Sequence, residues 1–472
     1  MTIVERYAGF AQSFRAQPLA PLVLHHAKRA VIDWYAALLP GAAVPPATLL
    51  ERALAEELDR DRDGNAAHLK GQGARLGEGA RLGEGARLAL GRRASVRAAA
   101  LINGAAAHTV EVDDIFRDGI YHPGAPTIAA ALALAQARGA SGEAFLRAVI
   151  AGYEISTRIG AAMGRAHYKY WHNTGTIGCF GACAAAAELL DLDAKRFAHA
   201  LATVATFSAG LQQAFRMDSM SKPLHAGRAA EAGVTAALAA CEGVTGSLDV
   251  LEGESGYGRA MGYGDAGNGP DWERGLETLG RDFHITRMTV KNHACCGHTF
   301  AAIDGALALQ AKMRVAARDI ARVRIGTYKA ALEVARYEAP RTAAEARFSL
   351  KYVVASALAH GSVRLAAFEP ARLEDTVTRE LMRRIDVSID PELDAAFPAQ
   401  RAARVAIESR DGHRGERLQP TRKGDPDAPL SDAELEHKYM ELASPVLGEA
   451  RARKLLARLW RLESETRLEF SA

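Results

Sequence analysis

The chain has 472 residues, 49% of them hydrophobic and 24% charged, a composition typical of a folded protein long enough for two domains. Its 59 basic and 56 acidic residues leave a net charge of +3, which gives no electrostatic case for nucleic acid or an anionic membrane. Five cysteines, an odd number in a long chain, argue against a disulfide framework and for a reducing, cytoplasmic setting.

The opening MTIVERYAGF puts Glu5 and Arg6 where a signal peptide would need an apolar run. No segment reaches the roughly 18 to 20 uninterrupted apolar residues of a membrane span. Aromatics are scarce and alanine abundant, so helices can approach closely and a mostly helical body is expected. Leu19 to Leu39 is helical in pattern and is expected to stop before Pro40. GARLGE then repeats from Gly73, with a second copy from Gly79 and a partial third from Gly85. Glycine this frequent opposes a helix, and so few copies cannot stack a core, so the repeat reads as a surface loop or hairpin without chemistry.

Val96 to Val110, Pro126 to Ala137 and Ser141 to Met163 read as helices, with Ser141 an N-cap. Gly175, Gly178 and Gly181 fall three apart. A phosphate loop would need a following Lys-Ser/Thr and a preceding strand, and both are missing, so a tight helix crossing explains them better. After about residue 285 the pattern changes. Residues 321–328, 385–389, 405–407 and 415–418 read as strands, with Asp411-Gly412 a hairpin turn. Helical patterns lie at His298 to Met313 and Ala346 to His360. Helix resumes at the capping box Ser431-Asp-Ala-Glu434, with Leu430 and Leu435 as its staple. The expected fold is mainly α: a large discontinuous helical domain, residues 1–286 and 420–472, with a smaller α+β domain, residues 287–419, inserted. A cleft between the two is the default place for a ligand.

The densest chemistry lies in HTVEVDDIFRDGIYHPG, from His108 to Gly124. Acids and imidazoles this close tune each other for acid–base work, although a polar loop between helices has the same composition. Here Glu111, Asp113 and Asp114 are acids and His122 is an imidazole. Elsewhere His172 precedes the glycine-spaced helix, where it could equally be a cap. Lys222 and Arg228 open another Ala-rich stretch, where surface cations are the ordinary alternative. KNHACCGH brings Lys291, His293, Cys295, Cys296 and His298 together. Zinc at that segment would require adjacent cysteines to converge without C-x-x-C spacing, so no metal is assigned. A cation-rich set with histidines suits a small substrate carrying several carboxylates.

Seven blocks in order carry a resemblance: HTVEVDD with the later HPG, AGYEISTRIG, WHNTGTIGCFGACAAAAELLDLD, SKPLHAGRAAEAG, KNHACCGHTFAAIDGAL, EARFSLKYVVASALAHG and RKGDPDAPLSDAELEHKY. Together they resemble the MmgE/PrpD family, which includes 2-methylcitrate dehydratases, cis-aconitate decarboxylases and iminodisuccinate epimerases. The resemblance implies a homodimer, a helical domain with an α+β lid, and no cofactor. By match to its blocks it implies site roles for Glu111, His122, His172, Lys222, Lys291 and Cys296. Together with the acids and cations read from the sequence itself, the expected catalytic set is His122, Glu111, Asp114, Lys291 and His172, and the expected substrate-binding set is Lys222, Asp113, Cys296, Arg228 and His298. In this reading His122, helped by Glu111 or Asp114, shuttles a proton while Lys222, Lys291 and His172 hold carboxylates. The first expectation is a 2-methylcitrate dehydratase-like hydro-lyase. A cis-aconitate-type decarboxylase, an iminodisuccinate-type epimerase and a non-catalytic carboxylate binder are the alternatives. Four departures stand out. Glu111 replaces the first Asp of H-x-x-D-x-D-D. Ile115 stands where a hydroxyl residue is common. The loop from Ile115 to Tyr121 is longer than in many members. Cys296 stands where decarboxylase-like members carry a histidine.

Overall fold

The computed structural model describes residues 1–58, 75–76, 80–81, 86–215, 219–262 and 269–469. The chain forms two compact units, residues Met1–Met288 with Asp432–Ala472, and Thr289–Ser431. The main helices before the second unit are α1 (Ile3–Arg15), α2 (Pro21–Ala42), α3 (Val96–Thr109), α4 (Gly124–Arg138), α5 (Gly142–Met163), α6 (Gly178–Leu189), α7 (Ala194–Ala205) and α8 (Ser221–Cys241). The second unit holds α9 (Phe300–Met313) and α10 (Leu350–His360), with strands β1 (Ile320–Thr327), β2 (Ile385–Ile389), β3 (Ala403–Ser409) and β4 (Arg414–Gln419). The chain then returns to the first unit as α11 (Asp432–Leu447) and α12 (Glu449–Leu459).

Local chemistry sets the helix ends. Pro21 occupies the first turn of α2, where its missing N–H costs nothing. Ser95 and Ser141 accept from the backbone N–H groups of Ala98 and Ala144 at the starts of α3 and α5. Gly139, at φ 64°, closes α4 in the left-handed conformation. Proline does not end α2 at Leu39, as its ring would suggest. The helix runs on to Ala42, because every residue from Arg29 to Ala42 is buried and packing outweighs one lost hydrogen bond.

At the centre of the first unit α4 is buried along nearly its whole length and packs on α3 and α6. Small residues make these crossings close. A Cβ at Gly178 would lie 2.6 Å from Pro126 of α4, and one at Gly181 would lie 2.4 Å from Thr127. The glycine spacing therefore marks a tight crossing, as expected. Of the GARLGE repeat, Arg75–Leu76 pairs antiparallel with Ala80–Arg81, and Ala86–Arg87 pairs with Arg93–Ala94. Residues 73–74, 77–79 and 82–85 of the repeat lie outside the described residues.

In the second unit the strands run in the order β2-β1-β3-β4. β1 is parallel to β2, and the other pairs are antiparallel. Val323 faces Ile385 on one side and Ile407 on the other, which sets the register of the apolar face. Gly412, at φ 89°, makes the β3–β4 turn. α9 covers β3 and β4, and α10 packs on α9. The unit ends later than the strand pattern indicates, at Ser431 rather than residue 419. The reason is a buried Arg422–Asp425 pair in the intervening segment, whose Gly424 carbonyl accepts from Val290 N–H at 2.9 Å.

Candidate active site

Residues 110–122 of the first unit form a folded loop. Phe116 and Tyr121 exchange backbone hydrogen bonds, which closes Ile115 to Tyr121 into a turn. Tyr121 anchors it by donating to Ser156 Oγ at 2.8 Å, and Asn173 Nδ2 donates to the Gly119 carbonyl at 2.7 Å. His122 is therefore held from both sides, and its own N–H donates to Thr174 Oγ1 at 3.2 Å. Lys438 of α11 reaches the same loop from below. Its ammonium donates to Asp33 Oδ1 at 2.5 Å and to the Val112 carbonyl at 2.7 Å.

Three acids of this loop have three different surroundings. Asp113 is fully buried, with its Oδ2 2.7 Å from His108 Nδ1 and 3.2 Å from His122 Nδ1. The His108 contact is a hydrogen bond, whereas His122 lies within ion-pair reach but off the hydrogen-bonding axis. Burial alone would raise the Asp113 pKa, yet the flanking imidazoles of His122 and His108 hold it well below the usual carboxylate range. Burial pushes His108 down to about 4, so this ring stays neutral and donates Nδ1–H to the carboxylate. Asp114 points elsewhere. Tyr153 O–H donates to its Oδ2 at 2.8 Å, and the Gly124 N–H at the start of α4 donates to its Oδ1 at 3.0 Å. Burial and the nearby Asp33 charge push it up to about 8. Glu111 takes a left-handed backbone, φ 61°, which costs about 1 kcal/mol for a non-glycine residue. Its carboxylate pairs with Lys222 of α8.

Imidazoles line the rest of the cluster. His172 and His225 face each other with Nδ1 atoms 2.9 Å apart, so one must donate and the other accept. His108 stacks on His172 at 5.4 Å between ring centroids, and His122 lies 4.5 Å from His108. Burial holds His172 well below its ordinary value and lowers His225 as well, with the Lys222 charge adding to both. Gly175 makes room for this packing, since a Cβ there would lie 3.1 Å from that of His225 and 2.3 Å from the Ala209 carbonyl. Among the described residues, His108, Asp113 and His122 bring one ligand atom each within 4.8 Å of one another, a set that a divalent ion could use. Two of these residues, His108 and Asp113, are already joined by the 2.7 Å hydrogen bond.

The chain thus brings together Glu111, Asp113, His122, His172 and Lys222 of the expected residues. It pairs His122 with Asp113 rather than with Glu111 or Asp114. Arg228 is half-exposed and bonds Glu231 at 2.7 Å along its own helix. Lys291, Cys296 and His298 belong to the second unit. There Thr289 donates to Asp425 at 2.6 Å, and Arg422 donates to the Gly297 carbonyl at 3.0 Å, which fixes both ends of the segment that carries them. Lys291 is buried, and Cys296 N–H donates to the Arg347 carbonyl at 3.0 Å. His298 Nδ1 meets Tyr328 Oη at 2.9 Å, while His293 Nε2 meets Asp304 at 2.9 Å, so the two imidazoles serve different partners. Burial pushes the Cys295 thiol up to about 12, which leaves it inert as a nucleophile.

Comparison with known proteins agrees with this architecture. The MmgE/PrpD N-terminal domain matches residues 5–268, and the MmgE/PrpD C-terminal domain matches residues 293–462. The chain belongs to the MmgE/PrpD family. A cis-aconitate decarboxylase-like protein of Aspergillus oryzae is 30% identical over 76% of this chain and 78% of its own length. A cis-aconitate decarboxylase of Aspergillus terreus is 26% identical over 92% and 87%, and the Homo sapiens cis-aconitate decarboxylase is 27% identical over 74% and 73%. Among the described residues of this MmgE/PrpD chain, no helix is long and apolar enough to cross a membrane.

Sequence reasoning gave no role to His108, His225 or Lys438. His225 carried a usable signal, since it falls three residues after Lys222 and so shares its helix face. His108 is separated from Asp113 by a loop whose course no periodicity reveals. Lys438 meets Asp33 across 405 residues, and nothing local announces that contact.

Proposed function

We propose that this protein is a lyase-type enzyme for a small di- or tricarboxylate, with His122 as its proton carrier. The Asp113 carboxylate lying between His108 and His122 carries this reading. His108 is fully enclosed, whereas the His122 side chain keeps 13% of its surface exposed and is the ring a substrate can reach. The ionised Asp113 is the counter-charge for a proton held by His122, which can be given to a carbon or a leaving group. Neutral His172 and His225 supply hydrogen bonds without added charge. In the second unit Lys291 is proposed to bind a carboxylate.

The names of the relatives favour loss of CO2 over loss of water. The bond from carbon to one carboxylate breaks, CO2 leaves, and the electron pair stays on the carbon. His122 then delivers the proton that forms the new C–H bond. Dehydration of the 2-methylcitrate type and epimerisation of the iminodisuccinate type would use the same ring to remove a proton next to a carboxylate. A cytoplasmic homodimer without metal or cofactor completes the proposal, and light scattering on the purified protein reads its oligomeric state. The activity is tested by turnover of cis-aconitate, 2-methylcitrate and iminodisuccinate by the wild type and His122→Asn. The variant is expected to lose at least about 100-fold in kcat with an unchanged melting temperature. Full activity would remove His122 from the mechanism, and ligand-induced stabilisation without turnover would favour the carboxylate-binding alternative.

A further inference from the structure

Within the cluster the charged groups are already matched by groups of the chain. The Lys222 ammonium bonds Glu111, and Asp113 lies between His108 and His122. The Glu111–Lys222 pair is poorly solvated, with 12% and 16% of the side-chain surfaces exposed. Glu111 is also pinned. Its backbone is left-handed, the carbonyl of the next residue is held by Lys438, and Asp113 beyond it is bonded to His108.

A substrate carboxylate arriving at Lys222 would have to share the ammonium with Glu111 or expel it. Sharing sets two carboxylates on one cation. Expulsion leaves the Glu111 carboxylate with little water and with ionised Asp113 two residues away. Each extra substrate carboxylate directed here is therefore opposed.

We propose that Glu111 is a built-in carboxylate that fills the Lys222 subsite, so that the protein selects a dicarboxylate over a tricarboxylate. This rests on the carboxylate-lyase reading above and narrows its substrate class. The group facing Lys222 and Glu111 in the bound substrate is then uncharged, such as a methyl, a hydroxyl or an amide.

Citraconate and cis-aconitate are matched probes, since both are substituted maleates and differ by a methyl against a carboxymethyl group. Their dissociation constants are to be measured by titration calorimetry on the full-length wild type, Glu111→Gln and the double variant Glu111→Gln/Lys222→Met. The wild type is expected to bind citraconate at least about tenfold more tightly, equivalent to about 1.4 kcal/mol. Glu111→Gln should gain at least about tenfold for cis-aconitate and little for citraconate, and the double variant should lose that gain. Glu111→Asp, which withdraws the carboxylate by one methylene, gives the same readout if the glutamine variant fails to fold. Equal or tighter binding of cis-aconitate by the wild type, or an unchanged ratio in the variants, overturns the proposal while leaving the lyase reading intact. Binding of neither probe to any variant overturns the carboxylate reading itself.

Discussion

Replacing Lys438 with methionine removes a charge from beneath the site while keeping most of the side chain's volume. In the wild type Lys438 and Asp33 are each 1% exposed, and the ammonium also bonds the Val112 carbonyl. Taking one partner from a buried pair leaves the other uncompensated, a loss of about 3 to 5 kcal/mol. Burial already raises the Asp33 pKa, so proton uptake limits the loss to that range. With an unfolding entropy of about 2.1 cal/mol/K per residue, a unit of this size should lose about 4 to 7 °C in melting temperature. The double variant Lys438→Met/Asp33→Asn removes both charges and should recover most of the shift. Because Val112 lies between Glu111 and Asp113, kcat should fall in the single variant too. A single-variant shift under about 2 °C, or a double variant no more stable than the single, would refute the account of this pair.

The two adjacent aspartates should separate cleanly. Asp113→Asn is expected to lose about 100-fold in kcat, because His122 loses its counter-charge. Asp114, pushed up to about 8, is already protonated at pH 7, so Asp114→Asn should stay within about threefold; equal losses would contradict this division. Stability should fall as the pH drops from about 6.5 to 4. His26, His108, His167, His172, His225 and His284 all have lowered folded-state values, so the unfolded chain binds more protons in that window. Asp33, Asp114 and Glu154 have raised values and act in the opposite sense, but three acids do not offset six imidazoles. A melting temperature that is flat or rising on acidification would reverse the sign. Dialysis against a chelator should leave turnover unchanged; a stoichiometric metal found by elemental analysis and needed for activity would assign His108, Asp113 and His122 to an ion.

Much of the fold is legible in the sequence because its signals are local. Ser95 and Ser141 cap helices through side chains placed three residues from their targets. Alternation in 321–328 and 403–409 follows from one buried sheet face. What escapes is non-local. The sequence pattern places residues 420–431 with the helical domain, whereas the Arg422–Asp425 pair and the Gly424 contact with Val290 tie them to the second unit. The site shows the same contrast. Density of acids and histidines locates the loop, and the resemblance to the MmgE/PrpD blocks nominates His122. Which acid serves His122 depends on the left-handed turn at Glu111 and on Asp114 being drawn to the start of α4, neither of which periodicity predicts.

Proton NMR of the purified protein in D2O, with citraconate, cis-aconitate, 2-methylcitrate and imino dicarboxylates as substrates, tests the central claim most directly. The account predicts conversion of at least one of them, with deuterium entering at the carbon that loses CO2 in a decarboxylation or at the carbon next to a carboxylate in an epimerisation, and with His122→Asn abolishing conversion and uptake. Unchanged spectra across the whole panel would contradict it.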